Sequence, residues 1–239
     1  MTMINAGDNV DPLEVRKFDK LASRWWDPEG EFKPLHRLNP VRIGYVAERA
    51  VIAGSRCLDI GCGGGLLTEG LAQLGADVTG IDMAGGPLTV ARMHQEISGL
   101  EGIRYLESSA EQLALDEAGL YDTVTCMEVL EHVPDPASLV AACRQLVKPG
   151  GNIFLSTINR NPKSFLMAIV GAEYVLGMLP RSTHEYARFI KPSELRRWSL
   201  QAGLHFRHLC GMTYSPFSGD FALSDDVDVN YLMHLSAPE

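Results

Sequence analysis

Short apolar runs alternate with amphipathic segments over most of the chain. Runs of this kind predict β-strands, and their alternation with helices predicts a parallel sheet that carries helices on both faces. The predicted strands are Arg56–Ile60, Asp77–Ile81, Ile103–Glu107, Tyr121–Met127, Asn152–Thr157, His205–Tyr214 and Val229–Ser236. The expected fold class is therefore α/β, with a doubly wound, mostly parallel seven-stranded sheet.

The first fifty residues predict an N-terminal helical extension. Apolar positions from Leu13 to Ala22 have helical spacing, and Asn39-Pro40 is typical of a helix start that follows a loop. Arg42 then falls in the first turn of the second helix, where the helix dipole disfavours a cation. A cation at this place predicts contact with a carboxylate ligand. The alternative is a solvated surface arginine.

Residues 159–190 interrupt the alternation and predict a helical insertion after the fifth strand. The run from Phe165 to Leu179 is very apolar, yet it contains Glu173 and ends at Pro180. A membrane-spanning helix needs roughly 20 apolar residues. The run therefore predicts a buried helix, a lid over an apolar substrate or an interfacial membrane helix. We expect residues 1–239 to form a single domain, with residues 1–50 as a helical cap.

The stretch from Leu58 to Thr68 has the form of a strand, a glycine-rich turn and a helix start. The turn contains Gly61, Gly63, Gly64 and Gly65. A backbone without side chains lets a flat ligand lie against its amides, and a helix N-terminus offers free N–H groups. Leu66 stands where a dinucleotide fingerprint has glycine or alanine, and no P-loop lysine is present. The turn predicts a nucleotide-type cofactor cradle, with an ordinary tight turn as the alternative.

Asp82 ends the second predicted strand, about twenty residues after the turn, where an acid can accept hydrogen bonds from both ribose hydroxyls. The alternative role for such a residue is a helix cap. Cofactors of doubly wound sheets bind at the carboxyl ends of the strands. We therefore expect the residues at these ends to surround one cleft. They are Gly61, Asp82, Ser109 and Met127.

The segment after the fourth strand concentrates acids and one histidine. Glu128 and Glu131 are three positions apart and His132 is adjacent, so a tight turn can bring the three side chains together. Two carboxylates and an imidazole suit a divalent cation such as Mg²⁺, Mn²⁺ or Zn²⁺. Alternatively, His132 alone acts as a general base whose tautomer one glutamate fixes. In a third interpretation, Glu128 lines the cleft and His132 packs on the following helix.

Composition narrows the class of partner. The chain has 239 residues, is 46% hydrophobic and carries a net charge of −9. The negative charge argues against a nucleic-acid partner.

The cysteines bear on the cellular compartment. The five cysteines contain no Cys-x-x-Cys pair, which predicts neither a disulfide framework nor a zinc site and favours the reducing cytosol. The first residues have no basic or apolar region typical of a targeting segment. The expected location is cytoplasmic, with peripheral attachment to the inner face of the membrane as a further option.

These motifs carry a family resemblance at two levels. Leu58–Gly65, Gly80–Asp82 and Glu128–Pro134 resemble class I S-adenosylmethionine-dependent methyltransferases, which have a Rossmann-like fold. Narrower stretches along nearly the whole chain resemble the ubiquinone biosynthesis O-methyltransferase family. They are Ala22–Asp27, Gly30–Arg37, Asn39-Pro40, Lys163-Ser164, Thr183-His184, Phe189–Pro192 and Val227–Tyr231. Gly85-Gly86 departs from the family pattern, which usually has an acid directly before the proline.

The resemblance implies a methyltransferase that uses S-adenosylmethionine to methylate a polyprenyl catechol of the 2-polyprenyl-6-hydroxyphenol type and a hydroxyl of 3-demethylubiquinol. The resemblance implies that Arg42, Gly61, Asp82 and Met127 bind the cofactor, and we also expect Asp59 among the cofactor-binding residues. The implied metal ligands, for Mg²⁺ or Zn²⁺, are Glu128, Glu131 and His132. We expect His132 and Glu131 to be the catalytic residues, because an imidazole or a carboxylate can take the proton of the phenolic hydroxyl. The implied partners are a polyprenyl phenol or quinol, a membrane surface and other enzymes of the quinone pathway.

Three other functions are weighed against this one. An NAD-dependent oxidoreductase is disfavoured by Leu66 in the glycine-rich turn. A C-methyltransferase of a related quinone and a non-catalytic module that senses the cofactor or binds lipid both remain alternatives.

Overall fold

The computed structural model describes residues 9–165, 186–215 and 219–239. These residues form one sheet of eight strands in the order β3-β2-β1-β4-β5-β8-β6-β7. The strands are β1 (Arg56–Ile60), β2 (Asp77–Asp82), β3 (Ile103–Glu107), β4 (Tyr121–Met127), β5 (Val147–Ile158), β6 (His205–Tyr214), β7 (Phe221–Ser224) and β8 (Asn230–Ser236). β1 to β5 pair in parallel, whereas β8 is antiparallel to both β5 and β6. The predicted α/β class with a mostly parallel sheet is confirmed.

The sheet has one strand more than the seven that the sequence predicts. The additional strand is β7, which pairs antiparallel with β6 at the edge of the sheet. It lies in the linker between the last two predicted strands. A strand of only four residues is too short to show a clear alternation of apolar and polar positions.

Helices cover both faces of the sheet. They are α1 (Pro12–Leu21), α2 (Lys33–Ala47), α3 (Leu66–Gln73), α4 (Gly85–Ser98), α5 (Ala110–Asp116), α6 (Pro136–Leu146) and α7 (Pro192–Gln201), with a single α-helical turn at Pro162–Ser164 and 3-10 turns at Ala22–Arg24, Leu130–His132 and Tyr186–Arg188. Apolar side chains of α5, α6 and α7 pack on one face, and those of α2 and α3 pack on the other. Successive residues of β1 point to opposite faces, so Leu58 belongs to the first core and Cys57 to the second.

The helix that carries Arg42 begins earlier than the sequence pattern indicates. α2 starts at Lys33, and Pro40 lies inside it rather than at its first position. Asn39 does not cap the helix, because it is buried and donates from Nδ2 to the backbone O of Leu66 at 2.7 Å. Arg42 therefore lies in the third turn of α2. The expectation of a first-turn cation was wrong, although Arg42 is buried, with 6% of its surface exposed.

Most of the predicted insertion lies outside the described residues. Its described ends are residues 159–165 and 186–190, so the apolar run is outside them after Phe165. Among the residues that are described, no helix has the length and apolar character needed to cross a membrane. The division into one domain with a cap and an insertion stays a prediction.

β6 passes so close to the loop after β7 that only glycine fits at position 211. A Cβ atom on Gly211 would lie 1.7 Å from the backbone O of Asp226. We expect Gly211→Ala to lower the free energy of unfolding by about 1–3 kcal/mol, the usual cost of overpacking. The matched control is Gly44→Ala in α2, where no atom lies within 4 Å and alanine should raise that free energy by about 0.5–1 kcal/mol. Urea unfolding measures both, and a Gly211→Ala protein as stable as the wild type would contradict the contact.

Candidate active site

One cavity of about 860 Å³ runs along the carboxyl edge of the sheet. β1 to β5 end at this edge, and β6 runs in the same direction because both β5 and β6 are antiparallel to β8. Residues at or near the strand ends line the cavity. In the order of the strands across the sheet they are Asp82, Gly61, Met127, Ile158, Met212 and Phe221. Side chains of α1 and α2 also line it. The structure thus brings Gly61, Asp82, Ser109 and Met127 to one cavity, as the strand order led us to expect.

The glycine-rich turn after β1 requires glycine for its backbone conformation and for its close packing against a tryptophan ring. Gly61, Gly63 and Gly65 have positive φ angles of 69°, 53° and 89°. A Cβ atom on Gly63 or Gly64 would lie 2.1 or 2.3 Å from the ring of Trp25. Side chains are therefore excluded from this turn for two separate physical reasons.

The two adjacent tryptophans have different surroundings. Trp25 lines the cavity and stacks on Phe32, with ring centroids 4.2 Å apart. Trp26 donates from Nε1 to the backbone O of Gly64 at 2.8 Å and stacks on His94 at 3.4 Å. Of the two indoles, Trp25 is therefore the one that meets the pocket.

Asp82 presents its carboxylate to the cavity beside the turn. Its Oδ2 accepts from the backbone N of Gly63 at 2.9 Å, and its Oδ1 accepts from the backbone N of Ala84 at 2.8 Å. Burial raises the pKa of Asp82, and these backbone hydrogen bonds partly offset that effect. Each carboxylate oxygen has a second lone pair, so Asp82 can accept from a pair of ligand hydroxyls without losing its backbone contacts.

Asp59 lies at the floor of the cavity with 2% of its surface exposed. Its Oδ2 accepts from Thr68 Oγ1 at 2.7 Å, and its Oδ1 accepts from Thr125 Oγ1 at 2.8 Å. Burial raises the pKa of Asp59 to about 6, while the two hydroxyls and the charge of Arg42 act in the opposite direction. Asp59 thereby links β1 to α3 and β4. The sequence pattern missed Thr68 and Thr125, because neither belongs to a recognisable motif.

Arg42 and Glu128 form an ion pair in the cavity. Arg42 Nη2 lies 3.3 Å from Glu128 Oε1, which also accepts from Ser156 Oγ at 2.8 Å. The pair is not aligned as a hydrogen bond, and within the described part of the chain Nε and Nη2 of Arg42 are buried without a hydrogen-bond partner. Buried donors are normally satisfied, so this guanidinium is suited to a further acceptor.

The backbone of Glu128 is strained. Among the described residues, Glu128 is the one non-glycine residue with a positive φ, 57°. Its backbone N donates to the backbone O of Ser156 at 3.0 Å, which holds the conformation in place. A residue in this region costs about 1–3 kcal/mol, and such residues cluster at functional sites. No residue preference in the sequence signals this strain.

His132 lines the cavity, and a side chain of α1 holds its ring. His132 Nδ1 lies 2.8 Å from Glu14 Oε2, and Phe18 meets the ring edge-on with centroids 5.4 Å apart. The hydrogen bond with His132 is the main cause that lowers the pKa of Glu14. Glu14 and His132 are 118 positions apart, so no local pattern could have linked them.

Glu131 lies in the interior, with 3% of its surface exposed. Its Oε2 accepts from Thr157 Oγ1 at 2.8 Å, whereas its Oε1 has no hydrogen-bond partner within the described part of the chain. Burial raises the pKa of Glu131 to about 7, and the nearby charge of Glu128 adds to the shift.

The three predicted metal ligands do not converge. Glu128 pairs with Arg42, Glu131 accepts from Thr157, and His132 contacts α1 through Glu14. Across residues 9–165, 186–215 and 219–239, no group of three or more His, Cys, Asp or Glu side chains is arranged to hold a metal ion. The chemical types suit a divalent cation, but their arrangement in this structure does not fit one.

Comparisons with known proteins define the class. A family model described as a methyltransferase domain matches residues 35–209. The fold is similar to that of magnesium protoporphyrin IX methyltransferase from Synechocystis with bound S-adenosylhomocysteine, with a TM-score of 0.66, 19% identity and coverage of 94% of this chain and 99% of that one. A possible histamine N-methyltransferase from Thermotoga maritima gives a TM-score of 0.65 at 18% identity, covering 94% and 98%. The chain is an S-adenosylmethionine-dependent methyltransferase of Rossmann-like fold.

Curated relatives define the family. A ubiquinone biosynthesis O-methyltransferase from Pseudomonas aeruginosa is 57% identical over 94% of this chain and 97% of its own length. Relatives of the same name from Marinobacter nauticus and Saccharophagus degradans are 59% and 58% identical, each over 95% of this chain and over 95% and 96% of their own lengths. The chain belongs to the ubiquinone biosynthesis O-methyltransferase family, as the sequence resemblance indicated.

We expect the buried carboxyl of Asp59 to make the free energy of unfolding depend on pH. Its pKa in the folded protein, about 6, exceeds the ordinary value of 3.8, so the folded state binds this proton more tightly than the unfolded chain does. We therefore expect this group to destabilise the protein as the pH rises from about 4 to 6, by at most roughly 3 kcal/mol.

Urea unfolding of the wild type and of Asp59→Asn at several pH values tests this expectation. Asparagine has no proton to lose, so the stability of the wild type relative to the variant should fall as the pH rises and level off above about pH 6. A constant difference between the two proteins over that range would contradict the shifted pKa.

Proposed function

We propose that the chain transfers the methyl group of S-adenosylmethionine to a phenolic hydroxyl of a polyprenyl catechol and of 3-demethylubiquinol. The observation that carries the proposal is that one continuous cavity joins the glycine-rich turn and Asp82 to His132 and to an apolar arm. We define the apolar arm by the lining residues Leu35, Leu38, Met212, Tyr214 and Phe221. The names of the curated relatives support a substrate of the quinone pathway.

The residues at the β1–β2 end fit the cofactor. The buried guanidinium of Arg42 has donors suited to the carboxylate of the methionine moiety. The carboxylate of Asp82 suits the two ribose hydroxyls, and Gly61 and Met127 border the same space. Asp59 holds the glycine-rich turn in place, because it accepts hydrogen bonds from the hydroxyls of Thr68 and Thr125. When bound, S-adenosylmethionine supplies a methyl group on an electrophilic sulfonium.

His132 is the proposed general base. A phenol has a pKa near ~10, so its hydroxyl is a weak nucleophile at neutral pH. With Nδ1 held by Glu14, the Nε2 atom of His132 would accept the hydroxyl proton. Glu131 receives no proton-transfer step in this proposal, because its carboxylate lies in the interior.

The apolar arm is the proposed place of the isoprenoid tail. Its side chains follow the cavity from α2 to β6 and β7, on the side of β4 away from Asp82. An arm of this composition favours a hydrocarbon chain, because burial removes apolar surface from water. In this arrangement the ring of the substrate lies at the middle of the sheet, near Val129 and His132.

We further propose a cytoplasmic protein that meets the membrane surface at its inner face, where a polyprenyl substrate would be found. The apolar run from Phe165 to Leu179 supports this proposal by its composition alone. Other enzymes of the quinone pathway are candidate partners in the same place. Binding to anionic vesicles, compared between the whole chain and a variant with charged residues in this run, tests the membrane contact.

Methyl transfer from labelled S-adenosylmethionine to a short-chain demethylubiquinol tests the proposed function. We expect product with the wild type, and a fall in kcat of about 100-fold or more for His132→Ala, because general-base catalysis typically contributes this much. Binding of S-adenosylmethionine, measured by calorimetry, should stay unchanged in the variant. A methyl group found on ring carbon would favour C-methylation, and tight cofactor binding without transfer to any catechol would favour the sensing module.

The same assay with EDTA tests the divalent metal that the family resemblance implies at Glu128, Glu131 and His132. Loss of activity that Mg²⁺ or Zn²⁺ restores would mean that these side chains rearrange around an ion during the reaction. Activity indifferent to EDTA would leave His132 as a base that acts without a metal.

Arg42 gives a separate test of the cofactor end. We expect Arg42→Gln to weaken S-adenosylmethionine binding by about 10-fold or more, since a charged hydrogen bond contributes about 1.5–3 kcal/mol. The matched control is Arg196→Gln, which makes the same change at an exposed position of α7. Calorimetric titration measures both. Equal affinities of the two variants for the cofactor would refute the assignment of Arg42.

A further inference from the structure

Helix α1 lies against the cavity although it buries none of its own residues. None of its ten residues is buried, yet Glu14, Phe18 and Leu21 line the cavity. Polar contacts fasten the helix and the residues before it. Asp11 pairs with Arg188 at 2.8 Å, and the backbone N of Gly86 donates to Asp19 Oδ1 at 2.8 Å.

These contacts fix where the side chains of α1 point. Asn9, just before the helix, donates to the backbone O of Asp135 and accepts from its backbone N, both at 2.7 Å. Asp135 follows His132 by three positions and caps α6. The start of α1 and the segment that carries His132 are therefore joined directly, and Glu14 is held at a defined distance from the imidazole.

The contact between Glu14 and His132 has the geometry of an orienting pair. Their atoms Oε2 and Nδ1 are 2.8 Å apart, and the side chains are 20% and 15% exposed. A carboxylate can only accept, so a hydrogen bond to it requires that Nδ1 carry the proton. Phe18, one turn further along α1, meets the imidazole at an interplanar angle of 85° and limits its rotation.

We propose that Glu14 is a positioning residue for methyl transfer, which fixes the tautomer and orientation of His132 through a direct hydrogen bond with Nδ1. The proposal rests on the function proposed above, in which His132 is the base. In that step the O–H bond of the phenol breaks and its proton passes to Nε2 of His132. The oxygen forms a bond to the methyl carbon as the carbon–sulfur bond breaks, leaving an aryl methyl ether, a thioether and an imidazolium. Glu14 stabilises the imidazolium through Nδ1–H.

Lys17 also lies near this pair, with its Nζ 3.7 Å from Glu14 Oε2. Both pairs are partly buried, but the contact with Lys17 is long, whereas the bond to His132 is short, at 2.8 Å, and has a charged acceptor. The arrangement therefore directs Glu14 to the imidazole. It also gives a function to a glutamate of α1 whose side chain lines the cavity.

Nitrogen NMR of ¹⁵N-histidine-labelled protein, with S-adenosylhomocysteine added, tests the proposal without any activity measurement. The signals of His132 are assigned by their loss in His132→Gln. We expect the wild type to show His132 with its proton on Nδ1. In Glu14→Gln the signals should move toward the Nε2-protonated form, whereas in Glu29→Gln, the same change at an exposed glutamate, they should not move. An unchanged His132 spectrum in Glu14→Gln would overturn the proposal.

Steady-state kinetics supply the second readout. Glu14→Gln should lower kcat about 10- to 100-fold, the usual effect of removing an orienting partner, with KM for S-adenosylmethionine changed less than about threefold. The double variant Glu14→Gln/His132→Ala should be no slower than His132→Ala, because Glu14 acts through the imidazole. A double variant slowed by the product of the two single effects would overturn the proposal. Absence of transfer by the wild type would instead refute the proposed function, and the NMR result would still decide the role of Glu14.

Discussion

Six strands of the sheet, β1 to β6, run in the same direction, so their carboxyl ends share one edge. This edge brings together residues from distant parts of the sequence, from Asp82 at the end of β2 to Met212 on β6. Helices pack on both faces of the sheet, whereas the loops that follow the strands lie at the carboxyl edge and line the cavity. The polar end of the cavity, its middle and its apolar arm follow from the order of the strands.

Charge at this edge is balanced by local partners. The chain is acidic overall, with a net charge of −9, yet the centre of the cavity holds the buried cation Arg42 between Asp59 and Glu128. Taking the charges of such a pair out of water costs several kcal/mol per ion, which their mutual attraction repays only in part when the pair is poorly aligned. The strained backbone of Glu128 adds to this cost. The residues at the centre of the cavity are thus arranged at the expense of stability, which is typical of a site where a polar ligand binds.

Sequence reasoning predicted the features that depend on local pattern. The strand and helix alternation, the glycine-rich turn and Asp82 each have a signal within a few residues, and all three lie where the pattern placed them. Features that depend on contacts between residues far apart in the sequence, or on very short elements, could not be predicted from local pattern. The pairing of Glu14 with His132 spans 118 positions, the conformation of Glu128 depends on Ser156, and β7 is too short to show a period. The start of α2 was missed because proline is disfavoured inside a helix, where it removes a hydrogen bond and clashes with the preceding turn, yet Pro40 lies inside α2.

The place of Trp25 has an optical consequence. Its indole lies against Gly63 and Gly64 and lines the cavity, whereas Trp26 is stacked on His94. Tryptophan emission responds to the polarity and to the charge of its immediate surroundings. A cationic sulfonium or a purine that enters beside the glycine-rich turn would meet one indole of the three in the chain. The protein therefore carries an intrinsic fluorophore at its cofactor turn, through which ligand entry can be followed without a label.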